Sequence, residues 1–173
     1  MAEPDLAEIY SGPTSVMIDD ADIGHTQGGV EVSVAPKNRM RNVDIYGDGV
    51  VEVIHLGDEV KVSAPLAEYT ALTLQQGYSI GNDQTAAVTN KYMGLGRKAG
   101  FVYPDVDLKL SPTISGQTAH KVHLYKAVAI GTLQMKYAAS DDRILKVDWQ
   151  GKIDASKTDG QLIGTLMTAG TVQ

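Results

Sequence analysis

A chain of 173 residues holds about one domain, and 43% hydrophobic against 21% charged residues suits a folded core rather than a disordered segment. Lys and Arg total 15 against 21 Asp and Glu, and the resulting net charge of −6 excludes a basic surface for sequence-independent nucleic-acid binding. Cysteine is absent, which excludes a disulfide framework, a thiol nucleophile and a thiolate metal site, and fits folding in a reducing cytoplasm.

Residues 1–5 are acidic and lack the basic start and apolar run of a secretory signal. No apolar run reaches the ~18 residues of a membrane-spanning helix, so no membrane contact is expected. Eight Tyr stand against one Phe and one Trp. Tyrosine suits half-wet surfaces, and the bias points to assembly.

In chain order, the dominant pattern is period-2 alternation. Val30, Val32 and Val34 alternate with Glu31, Ser33 and Ala35 after a Gly28-Gly29 turn. Val60, Val62 and Ala64 alternate with Lys61 and Ser63, and Val106, Leu108 and Leu110 oppose Asp107 and Lys109, ending before Pro112. Val122, Leu124, Val128 and Ile130 share a parity that Lys126 breaks. Leu133, Met135 and Tyr137 follow, then Leu145, Val147 and Trp149. Gly47-Asp48-Gly49, Gly57-Asp58, Gly131, 140–142 and Gly151 read as the intervening turns. The chain is predicted to be mainly β.

One helix is predicted over about 66–76, with Pro65 in its first turn, Glu68 near its N-terminus and Gly77 as its stop. Residues 79–89 and 93–100 read as loops. Residues 37–58 form an excursion whose second arm, Val50, Ile54 and Leu56 with Val51 and Val53, is apolar on both parities. Such an arm needs two burials, one of them in a partner. Without internal repeats or a clear boundary, residues 1–173 are expected to form a single domain with a long protruding loop or hairpin at 37–58.

Chemistry-bearing clusters are sparse. His120 and His123 are three apart, so on a strand they point to opposite faces and do not share an ion; His25 and His55 are isolated. Asp19, Asp20 and Asp22 lack the spacing of a calcium loop and fit a turn between two short strands. Asp105 and Asp107 share a strand face, but two carboxylates alone do not make a glycosidase. Residues 94–100 do not have the spacing of a dinucleotide fingerprint or the ending of a phosphate loop. No catalytic residue, cofactor or metal is expected. Lys37, Arg39 and Arg41 are the one basic run, either a solvated face or a docking patch for Asp44, Asp48, Glu52, Asp58 or Glu59 of a neighbouring copy.

The ordered segments 26–34, 43–50, 57–72, 123–128 and 133–149 together resemble the tail tube proteins of long-tailed, siphovirus-type bacteriophages, over roughly residues 14–151. The resemblance implies a β-sandwich or β-barrel subunit with one short flanking helix, assembled as hexameric rings stacked into a tube. Strands at 29–36, 59–64, 119–130 and 132–138 would line the channel, with Glu31, Ser33, Lys61, Lys121 and Lys136 as candidate lumen-facing residues. The excursion would be the arm that reaches the adjacent ring, through Arg39, Arg41, Asp44, Tyr46, Asp48, Val51 and Val53. Tape measure and tail terminator or initiator proteins would be partners, double-stranded DNA would pass transiently, and the protein would reside in the virion tail after assembly in the host cytoplasm. A secretion-system or bacteriocin tube is a related reading. A small β-sandwich binding module for carbohydrate or a cell-surface ligand is the alternative, with Trp149 as its one tryptophan platform. A hydrolase using Asp105 and Asp107 ranks last.

Overall fold

Alternating runs dictate strands, and strands are what the computed structural model shows. It describes residues 12–68, 82–86, 90–113, 121–131 and 144–167. In chain order the strands are β1 (Thr14–Ile18), β2 (Ala21–Asp22), β3 (Glu31–Asn42), β4 (Val50–Leu66), β5 (Asn82–Ala86), β6 (Asn90–Gly94), β7 (Val106–Pro112), β8 (Val122–Ala129), β9 (Leu145–Gly151) and β10 (Gly164–Leu166). A single 3-10 turn, Asp44–Tyr46, lies between β3 and β4. The fold is mainly β.

Antiparallel pairing gives the order β2-β1-β7-β8-β9-β4-β3, with β10 also on β8. One edge of β8 is shared end to end, Val122 to Leu124 with β10 and Ala127 to Ala129 with β9. The chain then joins the two ends of the sheet. Ile23 N–H donates to Val16 C=O at 3.0 Å, while Gln27 N–H donates to Pro65 C=O at 2.9 Å and Ala67 N–H to His25 C=O at 2.8 Å. Residues 23–27 therefore walk from β1 to the far end of β4 and close the sheet into a barrel-like ring, satisfying edges that would otherwise be bare.

Closure places alternate side chains inside. Val16 and Ile18 meet Val62, Ala64 and Leu66, Leu108 and Leu110, Leu124, and Leu145, Val147 and Trp149 in one core. In β8 the inward set changes parity from Leu124 to Ala127 and Ala129, because a bulge separates the pairs Leu108↔Leu124 and Val106↔Ala127. Lys126, which interrupts the pattern in sequence, instead reaches Asp154 with its ammonium at 3.1 Å.

Several expectations are corrected. Pro65 and Leu66 do not begin a helix; they end β4, paired with Lys146 and Leu145, and the rest of the expected helix, 69–76, lies outside the described residues. Proline is tolerated there because it stands in the last pairs of the strand, past the end of β3, where its missing N–H interrupts no interior ladder. Gly57-Asp58 is not a turn. Gly57, at φ 139°, lies inside β4 beside a register shift, so the chain bulges and continues. Residues 82–86, expected within a loop, pair with 90–94 as a separate two-stranded ribbon, which also takes in Met93 and Gly94 from the second expected loop. Pro112 belongs to β7, opposite Thr14. The turn expected at the aspartates is present: Asp19 and Asp20 adopt positive φ of 49° and 65°, a tight hairpin geometry that aspartate tolerates. The strand expected at 133–137 lies outside the described residues.

Gly164 sets how closely β10 lies on β8. A Cβ there would collide with the His123 carbonyl oxygen and stand 2.8 Å from Leu124 Cδ2. Gly164→Ala is expected to lower the unfolding free energy by about 1–3 kcal/mol, read as a lower denaturant midpoint at unchanged slope.

Candidate functional site

Beyond the barrel, β3 and β4 continue as a two-stranded ribbon, from about Val34 and Val60 to the turn at Asp44–Tyr46. A proline in mid-strand has no N–H for a central ladder, so Pro36 suits only an edge; Lys37, Arg39 and Arg41 are the charges that keep such an edge from pairing at random. The turn relies on Gly47 at φ 63°, a left-handed conformation open to glycine.

Register shifts at Lys37/Asn38 and Arg41/Asn42 set the two faces. Glu31, Ser33, Ala35, Lys37, Arg39 and Arg41 lie opposite Ser63, Lys61, Glu59, Gly57, Ile54 and Glu52 on one face. Val32, Val34, Pro36, Asn38, Met40 and Asn42 lie opposite Val62, Val60, Asp58, His55, Val53 and Val50 on the other. The apolar residues on both parities of β4 thus reflect two extra residues in the strand more than two apolar faces. One face is a charged ladder; the other extends the core face outward.

The charged face holds itself together. Lys37 and Lys61 ammonium groups stand 3.0 and 2.6 Å from Glu59, and the Arg41 guanidinium 2.9 Å from Glu52. The hydrogen bonds from Lys61, then from Lys37, hold the Glu59 carboxyl below its ordinary pKa. Glu52 and Glu59, expected as acids for a neighbouring copy, are therefore engaged within their own chain, and Asp58 faces His55 at 3.5 Å. Arg39 has no ion-pair partner among the described residues. The apolar side chains remain uncovered: Ile45 is 81% exposed and Met40 67%, and Val43, Val50, Val51 and Val53 are exposed too. Asp44 and Asp48 flank the tip and are exposed, and Tyr46 ends the 3-10 turn between them.

The candidate lumen residues fall in two places. Glu31, Ser33 and Lys61 share one polar face with Ser63, Lys146 and Asp148, lining a shallow hollow across β3, β4 and β9. Lys121 sits apart at the start of β8, exposed, its N–H and C=O both paired with Met167. Lys136 lies outside the described residues.

Asp105 and Asp107 are taken up by cations. Asp107 meets His123 Nε2 at 2.5 Å and Lys109 Nζ at 3.1 Å, Lys109 also reaches Asp20 at 2.6 Å, and Lys152 bonds Asp105. They form a chain of ion pairs on the outer sheet face, in which each carboxylate is already engaged by a cation. Among the described residues no group of three metal-ligating side chains gathers. Trp149 is fully buried and offers no binding platform.

Asp154 anchors the segment after β9. Its Oδ1 accepts from Ser156 Oγ at 2.9 Å and Ser156 N–H at 3.2 Å, and faces Lys126 Nζ at 3.1 Å. The Ser156 hydroxyl, then its backbone N–H and Lys126, hold the carboxyl below its ordinary value of 3.8. With the folded-state pKa depressed, the unfolded chain takes up the proton first as pH falls. The stabilisation is complete above the unfolded value near 3.8 and drains away as pH drops through the folded one. Asp154→Asn is expected to lower stability at neutral pH and to flatten this acid limb, measured by urea unfolding from pH 6 down to about pH 2.

This segment (152–166) and the bulges are what sequence reasoning missed. Ile153, Leu162, Ile163 and Leu166 show no alternation, and Gly57 reads as a turn until its pairing is known.

No family model and no curated protein matches the chain. Among solved structures, it is similar to a chain of the sheath–tube complex of an extracellular contractile injection system, PVC, in its extended state, determined by cryo-EM. The two share 11% identity at a TM-score of 0.51, over 94% of this chain and 96% of that one. The likeness establishes a shared fold, that of a chain of a sheath–tube complex.

Proposed function

We propose that the protein is the tube subunit of a phage-tail-type machine, which self-assembles into stacked hexameric rings around an axial channel crossed by DNA during ejection. The single domain keeps its barrel for itself and gives its ribbon to the adjacent ring. Tape measure and terminator or initiator proteins would set the length of the tube, and the assembled protein would belong to the virion tail. The observation that carries the reading is the ribbon: a stiff, paired arm that presents Met40, Val43, Ile45, Val50, Val51 and Val53 to solvent. A soluble monomer rarely keeps so contiguous an apolar strip unless a partner covers it. Full-length likeness to a sheath–tube chain supports the same reading.

The channel would be lined by the polar face of β3, β4 and β9. Glu31 and Asp148 balance Lys61 and Lys146 there, so a passing polyanion meets no net basic surface to arrest it. The inter-ring contact would run through Arg39, Arg41, Asp44, Tyr46, Asp48, Val51 and Val53. Negative-stain imaging of the purified chain across a concentration series is expected to show rings that give way to tubes. A chain that remains a dispersed monomer at the highest concentration refutes the proposal.

A further inference from the structure

Beyond the end of β9 the sheet opens into a gap between two strand edges. β4 carries β3 along one edge as far as Val50, but on its other edge the pairing with β9 stops at Lys61. β9 ends at Gly151, and β10 takes over its place along the same edge of β8. The registers put β10 level with Gly57 and Asp58 of β4, because Gln150 stands between Val128 and Lys61 and β10 begins opposite Leu124. Neighbouring strands of a sheet bond at about 4.8 Å. Here β10 and β4 do not pair, and an open groove of about 620 Å³ is lined by both.

The backbone of β10 turns into this gap. Met167 N–H and C=O both bond to Lys121, and Ile163 C=O accepts from Tyr125 N–H, so residues 163, 165 and 167 face β8. In an antiparallel ladder the residues between them face the other way. Gly164 and Leu166 therefore offer their N–H and C=O groups to the groove, where no strand takes them among the described residues. Such an edge is a template for an added strand. The side chains beneath are aliphatic: Val34, Leu56, Leu162 and Ile163, with Ile153 and Leu166 65% and 64% exposed. Asp58 and Asp159 also line the groove, and no Lys or Arg does. Asp58 faces His55 at 3.5 Å and Asp159 accepts only from Gly160 N–H at 3.0 Å, so both carboxylates are open to a cation.

These three features together specify a polypeptide. A bare edge recognises backbone, an aliphatic floor recognises alternate side chains of an extended segment, and two carboxylates recognise its basic residues. An apolar small molecule would leave the edge groups unpaired. We infer that the gap is a strand-acceptor site, taking an extended segment of a partner chain that alternates aliphatic residues with Lys or Arg. The added strand bonds to Gly164 and Leu166, sets its aliphatic side chains on the floor, and brings a cation to Asp58 and Asp159. The inference goes beyond the tube reading and does not use the ribbon's tip.

The probe is a capped, fluorescein-labelled six-residue peptide alternating Val with Lys, added to the dispersed full-length chain. Saturable binding is expected by fluorescence anisotropy, with slowed hydrogen exchange confined to the segment containing Gly164 and Leu166 and to the facing part of β4. Replacing Lys by Glu in the peptide, or combining Asp58→Asn with Asp159→Asn in the protein, is expected to weaken binding roughly tenfold. Methylating alternate backbone nitrogens of the peptide keeps the side chains, removes the edge donors and is expected to abolish the protection. Circular dichroism checks that the doubly substituted chain keeps its fold. No saturable binding up to about 1 mM peptide overturns the proposal. So does equal binding by the Glu or the methylated peptide, since charge or backbone would then play no part. Slow exchange at Gly164 and Leu166 in the chain alone overturns it as well, because the gap would already be filled. Imaging of tubes is a separate measurement, so the site and the tube reading fail independently.

Discussion

Trp149→Ala is expected to be the most damaging single change in the described core, lowering the unfolding free energy by about 3–5 kcal/mol. The side chain is fully buried in β9, opposite Val62 of β4, where the closed sheet leaves the surroundings little freedom to collapse into the space. Against a typical total of about 5–15 kcal/mol, such a loss brings a large share of the chains to the unfolded state near body temperature. The loss should appear as a shift in the midpoint of chemical unfolding. Trp149→Phe separates packing from polarity. The indole Nε1–H is buried without a hydrogen-bond partner among the described residues, a burden of about 1–3 kcal/mol that phenylalanine removes along with some volume. The phenylalanine variant is therefore expected to lose less than half of what alanine loses. Equal losses in the two variants would show that the indole N–H is satisfied after all and that volume is not what decides.

The same tryptophan shows what could be read in advance. Leu145, Val147 and Trp149 alternate without interruption, and all three are buried; Val60, Val62 and Ala64 behave likewise. Period 2 is a local property of a strand, so it survives in sequence. Bulges do not. In β4 the inward residues change parity twice on the way to the tip, and in β8 once, because an extra residue in one strand has meaning only against its partner. For the same reason Gly57 looked like a turn and Pro65 like the start of a helix: glycine and proline mark a break in the regular ladder without saying which kind. The excursion at 37–58 was visible as apolar residues bounded by Gly47-Asp48-Gly49, and the pairing of Arg41 with Glu52 was not, since it needs the register. The apolar groove beside the ribbon, lined by Val34, Leu56, Ile153 and Leu166, was invisible, being assembled from β3 and β4 and from a segment more than 90 residues further along the chain.

Deleting residues 39–49 is expected to abolish tube formation at concentrations where the intact chain assembles, while leaving the domain folded. The deletion joins Asn38 to Val50 and leaves residues 50–54 as the connection before His55, which already pairs with Asn38; five residues are an ordinary hairpin loop. What the fold loses is slight: pairs at the exposed end of the ribbon and the Arg41–Glu52 bridge, an exposed ion pair worth about 0–1 kcal/mol. The denaturant midpoint should therefore stay close to that of the intact chain. What assembly loses is large. Met40, Val43 and Ile45 leave with the deleted segment, and covering each of these exposed side chains contributes on the order of 1–2 kcal/mol per contact. Even 3 kcal/mol of that sum raises the concentration needed for assembly by more than about a hundredfold. Sedimentation velocity and electron microscopy read the loss, and the unfolding curve guards against the trivial explanation. A deleted chain that builds tubes at the original concentration would remove the ribbon from the assembly. The uncovered strip would then need another purpose, and the barrel's own rims would have to supply all the contacts between rings.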